Sequence, residues 1–295
     1  MNVEFRVLKY FLVVARTENI SRAAEEMNIS QPALSRQLMD LEEELGVQLL
    51  VRSKRRTTLT EAGFLLQRRA EEISALVDKT VDELSHSQGE ISGSIRIGCG
   101  ETAGMRAIAR TMQEIRQKYP HIHCQLYSMD ASGVRERLEK GTLDFGVLIQ
   151  PRPPQDYDYV QLPHQDIWGV YMKKDSPLAG REKIRAADLM GLPLIVSQQA
   201  LNRKELQAWF GREEKDLQIV ATYTLIYNAS LLAEAGVGYL ICLDEQLNLA
   251  PDSNLLFRPL EPSSLCNNYF VWKHNQLFSR AASLFRDRLR AIAGA

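Results

Sequence analysis

The stretch Ser30-Gln31-Pro32-Ala33-Leu34-Ser35-Arg36-Gln37-Leu38, continued by Met39-Asp40-Leu41-Glu42-Glu43-Glu44-Leu45 and closed by Gly46, decides how the N-terminal part of this chain is read. Ser30 is a good N-cap, Pro32 falls in a first turn where its missing N–H costs nothing, and Gly46 suits the left-handed residue that ends a helix. At about 100° per residue, Leu34, Leu38, Leu41 and Leu45 form one stripe, while Pro32, Ser35, Arg36 and Met39 project from the other side. One face packs and the other is left to solvent or to a partner.

Working outward, Phe5, Leu8, Phe11, Leu12 and Ala15 fall at helical spacing, Asn19 with Ser21 supplies a turn and an N-cap, and a short helix is expected over Arg22–Met27. Asn28-Ile29-Ser30 separates it from the next helix. After Gly46, Val47-Gln48-Leu49-Leu50-Val51 and Thr57-Thr58-Leu59 read as two short strands around a basic turn. The order predicts a winged helix-turn-helix. Residues 1–60 are nearly neutral, with nine Lys/Arg against eight Asp/Glu. Arg52, Lys54, Arg55 and Arg56 cluster on the wing, and Asp40, Glu42, Glu43 and Glu44 crowd the far end of the third helix. Phosphate can therefore be approached only by the wing and by the N-terminal end of that helix.

There, Gln31, Pro32, Ser35 and Arg36 have the chemistry of base reading: Gln pairs two-handed with adenine, Arg with guanine, Ser with base or phosphate, and Pro32 offers apolar contact to a thymine methyl. On an isolated helix the same residues would be a solvated face, and it is the flanking turn and wing that favour the DNA reading. Arg52, Lys54, Arg55 and Arg56 would hold phosphate or a narrow minor groove. For Arg52 a structural ion pair is an equal alternative.

Thr60 can cap a long helix reaching about Ser87, with Leu66, Ala70, Ile73, Val77, Val81 and Leu84 along one seam. Such a helix calls for a twin from a second chain. Gly89-Glu90-Ile91-Ser92-Gly93 reads as a hinge. Beyond it, strands alternate with helices: Ile95–Ile97, a helix near Ala103–Lys118, His123–Tyr127, a helix near Gly133–Lys140, and Phe145–Ile149. A second block follows with Ile167–Met172, Leu194–Val196, helices near Arg203–Phe210 and Tyr227–Ala235, and Tyr239–Leu243. Tyr269–Trp272 and a helix near Phe278–Ala293 end the chain. This is the pattern of two α/β subdomains around largely parallel sheets, with a ligand cleft between them.

Candidate ligand contacts lie at strand ends: Gly100, Glu101, Thr102, Ser128 and Ile149 in the first half, and Ser197, Gln198, Asn202, Thr222 and Tyr223 in the second. Each is also an ordinary cap or turn residue. Glu101 would oppose an anionic ligand unless a cation or a proton offsets it, or it stabilises a helix N-terminus.

The 295 residues, 45% of them hydrophobic and 25% charged, suffice for two or three domains. No signal peptide and no membrane-length apolar run is read, so a cytoplasmic location away from membranes is expected. Cys99, Cys124, Cys242 and Cys266 are scattered, and five histidines lack metal spacing. No metal, cofactor or catalytic constellation is expected, which counts against an enzyme. A solute-transport binding protein would share the second architecture but not the first 90 residues.

Residues 1–65 closely resemble the LysR-type transcriptional regulators. The likeness is carried in order by Ser21-Arg22-Ala23-Ala24, by Ser30 to Leu38 as quoted, and by Leu41-Glu42-Glu43-Glu44-Leu45-Gly46-Val47. Leu49-Leu50-Val51-Arg52 and Leu59-Thr60-Glu61-Ala62-Gly63 complete it. It continues more faintly in Gly93-Ser94-Ile95-Arg96-Ile97-Gly98, Gly141-Thr142-Leu143-Asp144-Phe145-Gly146-Val147 and Ala235-Gly236-Val237-Gly238-Tyr239-Leu240. Leu50 stands where the family usually has Phe, and Cys242-Leu243 replaces a common Leu-Pro.

The resemblance implies an α/β protein with a DNA-binding domain over 1–60 and a linker and dimerisation helix with hinge over 61–92. A periplasmic-binding-protein-like effector domain follows over 93–295, with subdomain I about 93–161 and 268–295 and subdomain II about 162–267. The partners it implies are double-stranded promoter or operator DNA, a second copy of the chain with assembly to tetramers, a small-molecule effector, and RNA polymerase. If the chain were a thiol sensor like the peroxide-sensing members, Cys99 and Cys124 would be the pair to join.

Overall fold

The computed structural model describes residues 3–53, 56–85, 91–247, 249–250 and 252–294, with the backbone alone for 82–85. It divides into two compact units, Met1–Ser85 and His86–Ala295.

In the first unit, α1 (Phe5–Thr17), α2 (Ile20–Glu26) and α3 (Gln31–Leu45) precede β1 (Leu50–Arg52), β2 (Thr57–Leu59) and α4 (Glu61–Ser85). Asn19 rather than Ser21 caps α2, its side chain accepting from the N–H of Arg22, so that helix starts two residues earlier than expected. Ser30 caps α3 by accepting from Ala33, and Gly46 ends it in left-handed backbone. Leu34, Leu38 and Leu41 are buried with Phe11, Val14, Leu49 and Leu50 in one core. The wing is an antiparallel pair in which Leu50 faces Leu59 and Arg52 faces Thr57. Thr60 links wing to helix: its hydroxyl donates to the Gln48 carbonyl and accepts from Gly63. Gly63 is required there, because a Cβ would stand 2.2 Å from the Leu49 carbonyl oxygen.

The second unit begins with β3 (Gly93–Cys99), α5 (Met105–Lys118), β4 (Ile122–Ser128), α6 (Ala131–Glu139), β5 (Phe145–Gln150) and the long β6 (Asp158–Lys173). Then come β7 (Ile184–Arg185), α7 (Ala186–Leu189), β8 (Leu194–Ser197), α8 (Gln198–Asn202), α9 (Glu205–Phe210), β9 (Ile219–Tyr223) and α10 (Ile226–Glu234). The chain closes with β10 (Tyr239–Leu243), β11 (Leu255–Glu261), β12 (Leu265–Trp272) and α11 (Arg280–Ala293).

The strands run β4-β3-β5-β12-β6-β10-β8-β9, and β11 pairs with β6 and β7. β3, β4 and β5 are mutually parallel, as are β8, β9 and β10. β6 joins the halves: Asp158–Ile167 pairs with β12, and Trp168 onward pairs with β10 and β11. Each half has its own core. In the first, Ile95, Ile97, Phe270 and Phe285 surround Phe145, whose ring stacks on Phe270 at 4.6 Å. In the second, strand alternation sends Leu194 and Val196 to one face with Val170 and Ile241, and Ile195 to the other with Tyr171 and Leu240.

Several elements depart from the expected pattern. The strand expected over Ile167–Met172 is the second part of a 16-residue strand. The helix expected near Arg203–Phe210 is α9, which starts two residues later; α8, immediately before it, was not expected, and the two are separated where Lys204 takes φ 57°. β7, α7 and β11 were not expected, and β9 was foreseen only through the strand end at Thr222 and Tyr223.

Candidate functional site

The DNA-reading candidates are on α3 and the wing. The turn between α2 and α3 is fixed by backbone bonds from Met27 to Ala23, Asn28 to Glu25 and Ile29 to Ala24, with Asn28 left-handed. It leaves the first turn of α3 uncovered: Gln31, Pro32 and Arg36 are exposed and Ser35 is half-buried. Arg36, and Arg22 at the start of α2, form no ion pair among the described residues.

The wing arginines are differently placed. One Nη of Arg52 lies 2.8 Å from Glu42 Oε2, while Glu42 Oε1 accepts from the N–H groups of Leu49 and Leu50. Arg52 thus forms the ion pair that was one of its two readings. Arg56 pairs with Glu18, the residue that ends α1, both side chains remaining largely exposed. Lys54 and Arg55 lie outside the described residues.

In the second unit, a cleft between the halves is lined by Gly100, Glu101, Ile149, Ser197 and Tyr223, all expected, together with Met129, Asp130, Trp168, Gln199, Ala200, Glu205, Thr224, Ile226, Leu243, Gln246 and Cys266. The other five expected residues are elsewhere. Thr102 is buried, its hydroxyl donating to both carboxylate oxygens of Asp166 at 3.0 and 2.8 Å. Ser128 and Thr222 are exposed on strand faces one position out of phase with the lining. Gln198 and Asn202 bond to each other one turn apart on the outer side of α8. Asp130 was signalled by its N-cap position, where it accepts from Gly133. Glu205 and Cys266 come from elements that only the tertiary fold brings to the cleft.

The halves are bridged across it. Glu101 Oε2 accepts from the N–H of Ile226, the first residue of α10, and the Glu101 carbonyl accepts from Gln246. Gln199 Oε1 accepts from Ala131 at the start of α6, and Arg203 donates to the Ile149 carbonyl. Glu101 thus stabilises a helix N-terminus, but the helix belongs to the opposite half. Burial raises the Glu205 carboxyl above its ordinary range against the pull of Arg203. At Asp130 burial acts in the same direction, but hydrogen bonds from Gly133 and Ser132 outweigh it and hold the carboxyl low.

Cys99 and Cys124 do not form the pair that a thiol sensor needs. In the β3–β4 register Cys124 faces Ile95 and Cys99 faces Ser128. Four residues of offset is about 13 Å of strand, against a disulfide Cα span under about 7 Å. Burial raises both thiols to about 11, which keeps them protonated and unreactive. Among the described residues, one group of three metal-capable side chains, His164, Asp166 and Asp244, places ligand atoms within 4.8 Å of one another. Two are already engaged: Asp166 accepts from Thr102 and Asn268, and Asp244 accepts from the N–H of Ile167. The group reads as a strut under the crossing of β6. No helix among the described residues is long and apolar enough to cross a membrane.

Comparison with known proteins matches residues 5–64 to the bacterial regulatory helix-turn-helix protein, lysR family, and residues 88–293 to the LysR substrate binding domain. The Hca operon transcriptional activator HcaR of Escherichia coli (strain K12) is 30% identical over 268 residues, 88% of this chain and 87% of that one. The uncharacterized HTH-type transcriptional regulator YnfL of the same organism is 34% identical over 197 residues, 66% of each chain. Among solved structures, that of CbnR, a LysR family transcriptional regulator, superposes with TM-score 0.75 over 99% of both chains at 20% identity, which shows the fold. Full-length CbnR complexed with its target DNA superposes with TM-score 0.73 over 99% of this chain at 19% identity. With both family domains present in order, the chain belongs to the LysR family of DNA-binding transcription regulators.

Proposed function

We propose that the protein recognises operator DNA by inserting the N-terminal turn of α3 into the major groove, and that a small molecule held in the cleft of the second unit modulates the response. The observation that supports the reading most is the polarity of α3: Gln31, Pro32 and Arg36 are exposed at its start, and Asp40, Glu43 and Glu44 are exposed toward its end. Phosphates repel the second end, so only the first can approach. Gln31, Pro32, Ser35 and Arg36 read bases. Arg56, with Lys54 and Arg55 outside the described residues, holds the backbone.

The DNA-binding units pair through α4. Leu66 packs onto the core of its own unit and Ala70 is fully buried, so these two positions of the seam are already taken. Phe64, Leu65, Ile73, Leu76 and Val81 are exposed and supply the apolar surface for a second copy. Leu84 is described by its backbone alone, and the Gly89-Glu90 part of the hinge lies outside the described residues. Further assembly to tetramers, contact with RNA polymerase, a cytoplasmic site of action, absence of catalysis and absence of a resident cofactor complete the reading.

The test is a footprint of the full-length protein on the DNA upstream of its own gene. Protection of a bounded site, lost in Arg36→Ala, is expected. Uniform coating of any DNA at similar protein concentration would overturn it.

A further inference from the structure

The charge in the cleft has one sign. Its described lining includes the carboxylates of Glu101, Asp130 and Glu205 and no lysine or arginine. Arg203 stands nearby, but its guanidinium is committed to the Ile149 carbonyl at 3.0 Å and lies 3.7 Å from Glu205.

The usual holders of an anion are also taken. Two nine-residue helices, α6 and α10, begin at the cleft, and a helix N-terminus is a ready anion site. Yet the first N–H of α6 donates to Gln199 Oε1 at 2.9 Å, and that of α10 donates to Glu101 Oε2 at 2.7 Å. An anionic ligand would have to displace an acceptor supplied by the opposite half. At α10 it would also release a carboxylate beside two others.

Glu205 has the opposite need. Its carboxylate is largely desolvated, and Arg203 at 3.7 Å is a distant and already shared partner. Ile149, Met129 and Leu243 complete the wall with apolar surface, and Trp168 adds an aromatic ring, whose face attracts a cation and not an anion.

We propose that the ligand of this cleft is a small organic cation, an amine or guanidinium joined to an aromatic or apolar body, with its charge held by Glu205 and its body against Trp168 and Ile149. This rests on the reading of the cleft as the ligand site.

The experiment titrates the full-length protein with matched pairs differing only in the charged end, 2-phenylethylamine against 3-phenylpropionate and n-pentylguanidine against hexanoate. Calorimetry is read beside the fluorescence of Trp168, with Trp168→Phe as the control for the origin of the signal. The cations should bind about tenfold or more tightly than their acids, and Glu205→Gln, shown folded by its melting curve, should weaken the cation by a similar factor. Binding of the acid equal to or better than the cation, strengthened in Glu101→Gln, would overturn the cationic class. It would make Glu101 an internal stand-in for an anion while leaving the cleft as the ligand site. Absence of a Trp168 response to every member of both pairs also overturns the class. The operator footprint tests the regulator reading independently of either result.

Discussion

Glu101 Oε2 lies 2.7 Å from the backbone nitrogen of Ile226, so a carboxylate at the end of β3 in one half of the ligand-binding unit caps a helix of the other. The residue before α10, Leu225, has no side chain able to do this. The contact therefore couples the closure of the cleft to the stability of α10.

Glu101→Ala should lower the unfolding free energy by about 0.5–2 kcal/mol, the loss usual for an N-cap. Glu101→Gln, which keeps an acceptor, should lose less. Amide hydrogen exchange in the first turn of α10 should accelerate in the alanine variant before the rest of the unit is affected. Equal protection of Ile226 in both variants would show that the cap is dispensable.

Arg36→Ala should cost about 1–3 kcal/mol of operator affinity and leave binding to unrelated DNA nearly unchanged. Arg36 is exposed and without an ion pair among the described residues, so its removal leaves the domain's own contacts intact. Electrophoretic shifts with operator and scrambled fragments at one salt concentration provide the comparison. A parallel fall on both fragments would make Arg36 a phosphate contact.

Glu42 binds the N–H groups of Leu49 and Leu50 and the guanidinium of Arg52, and it is more central than the arginine it holds. Glu42→Ala would leave two backbone donors at the wing's entry without their acceptor, a loss of about 1–3 kcal/mol. Arg52→Ala removes only a partly exposed ion pair and should cost less than about 1 kcal/mol. Denaturation of the full-length variants, followed by wing-specific hydrogen exchange, separates the two. If Arg52→Ala abolishes DNA binding without touching wing protection, Arg52 is a DNA contact first.

What could be read in advance follows how local the determining physics is. α3 carries its own cap, proline, leucine stripe and terminal glycine within 17 residues, Ser30–Gly46, and all four act as the sequence suggests. The first half of β6 was hidden because Pro163 falls inside it, and a proline ordinarily argues against a strand interior. It is accommodated where the β6–β12 register shifts between Asn267 and Tyr269, which relieves residues 162–164 of a ladder partner. Lys204 gives no hint of the left-handed backbone that splits α8 from α9. In the cleft, a single step in phase separates Tyr223, which lines it, from Thr222, which does not. Sequence patterning placed these strand ends to within one or two residues, which is too coarse to choose between neighbours on opposite faces.

The sharpest case is Thr102, expected at the cleft and found beneath it against Asp166. That carboxyl is fully buried, and burial raises it above its ordinary 3.8 despite donors from Asn268 and Thr102 and the nearby imidazole of His164, with Asp244 adding to the rise. A carboxyl raised in the folded state binds its proton more tightly there than in the unfolded chain. Folding stability attributable to Asp166 is then greatest at acid pH and falls as pH climbs from 3.8 through the raised folded value. Asp166→Asn should flatten that part of the stability–pH curve, measured by urea unfolding at a series of pH values. Thr102→Val, which removes one donor from the buried carboxylate, should steepen it and cost about 1–3 kcal/mol at neutral pH. Identical pH profiles in wild type and Asp166→Asn would mean that Asp166 titrates alike in the folded and unfolded chains, and the buried group would have to be read as fully compensated by its hydrogen bonds.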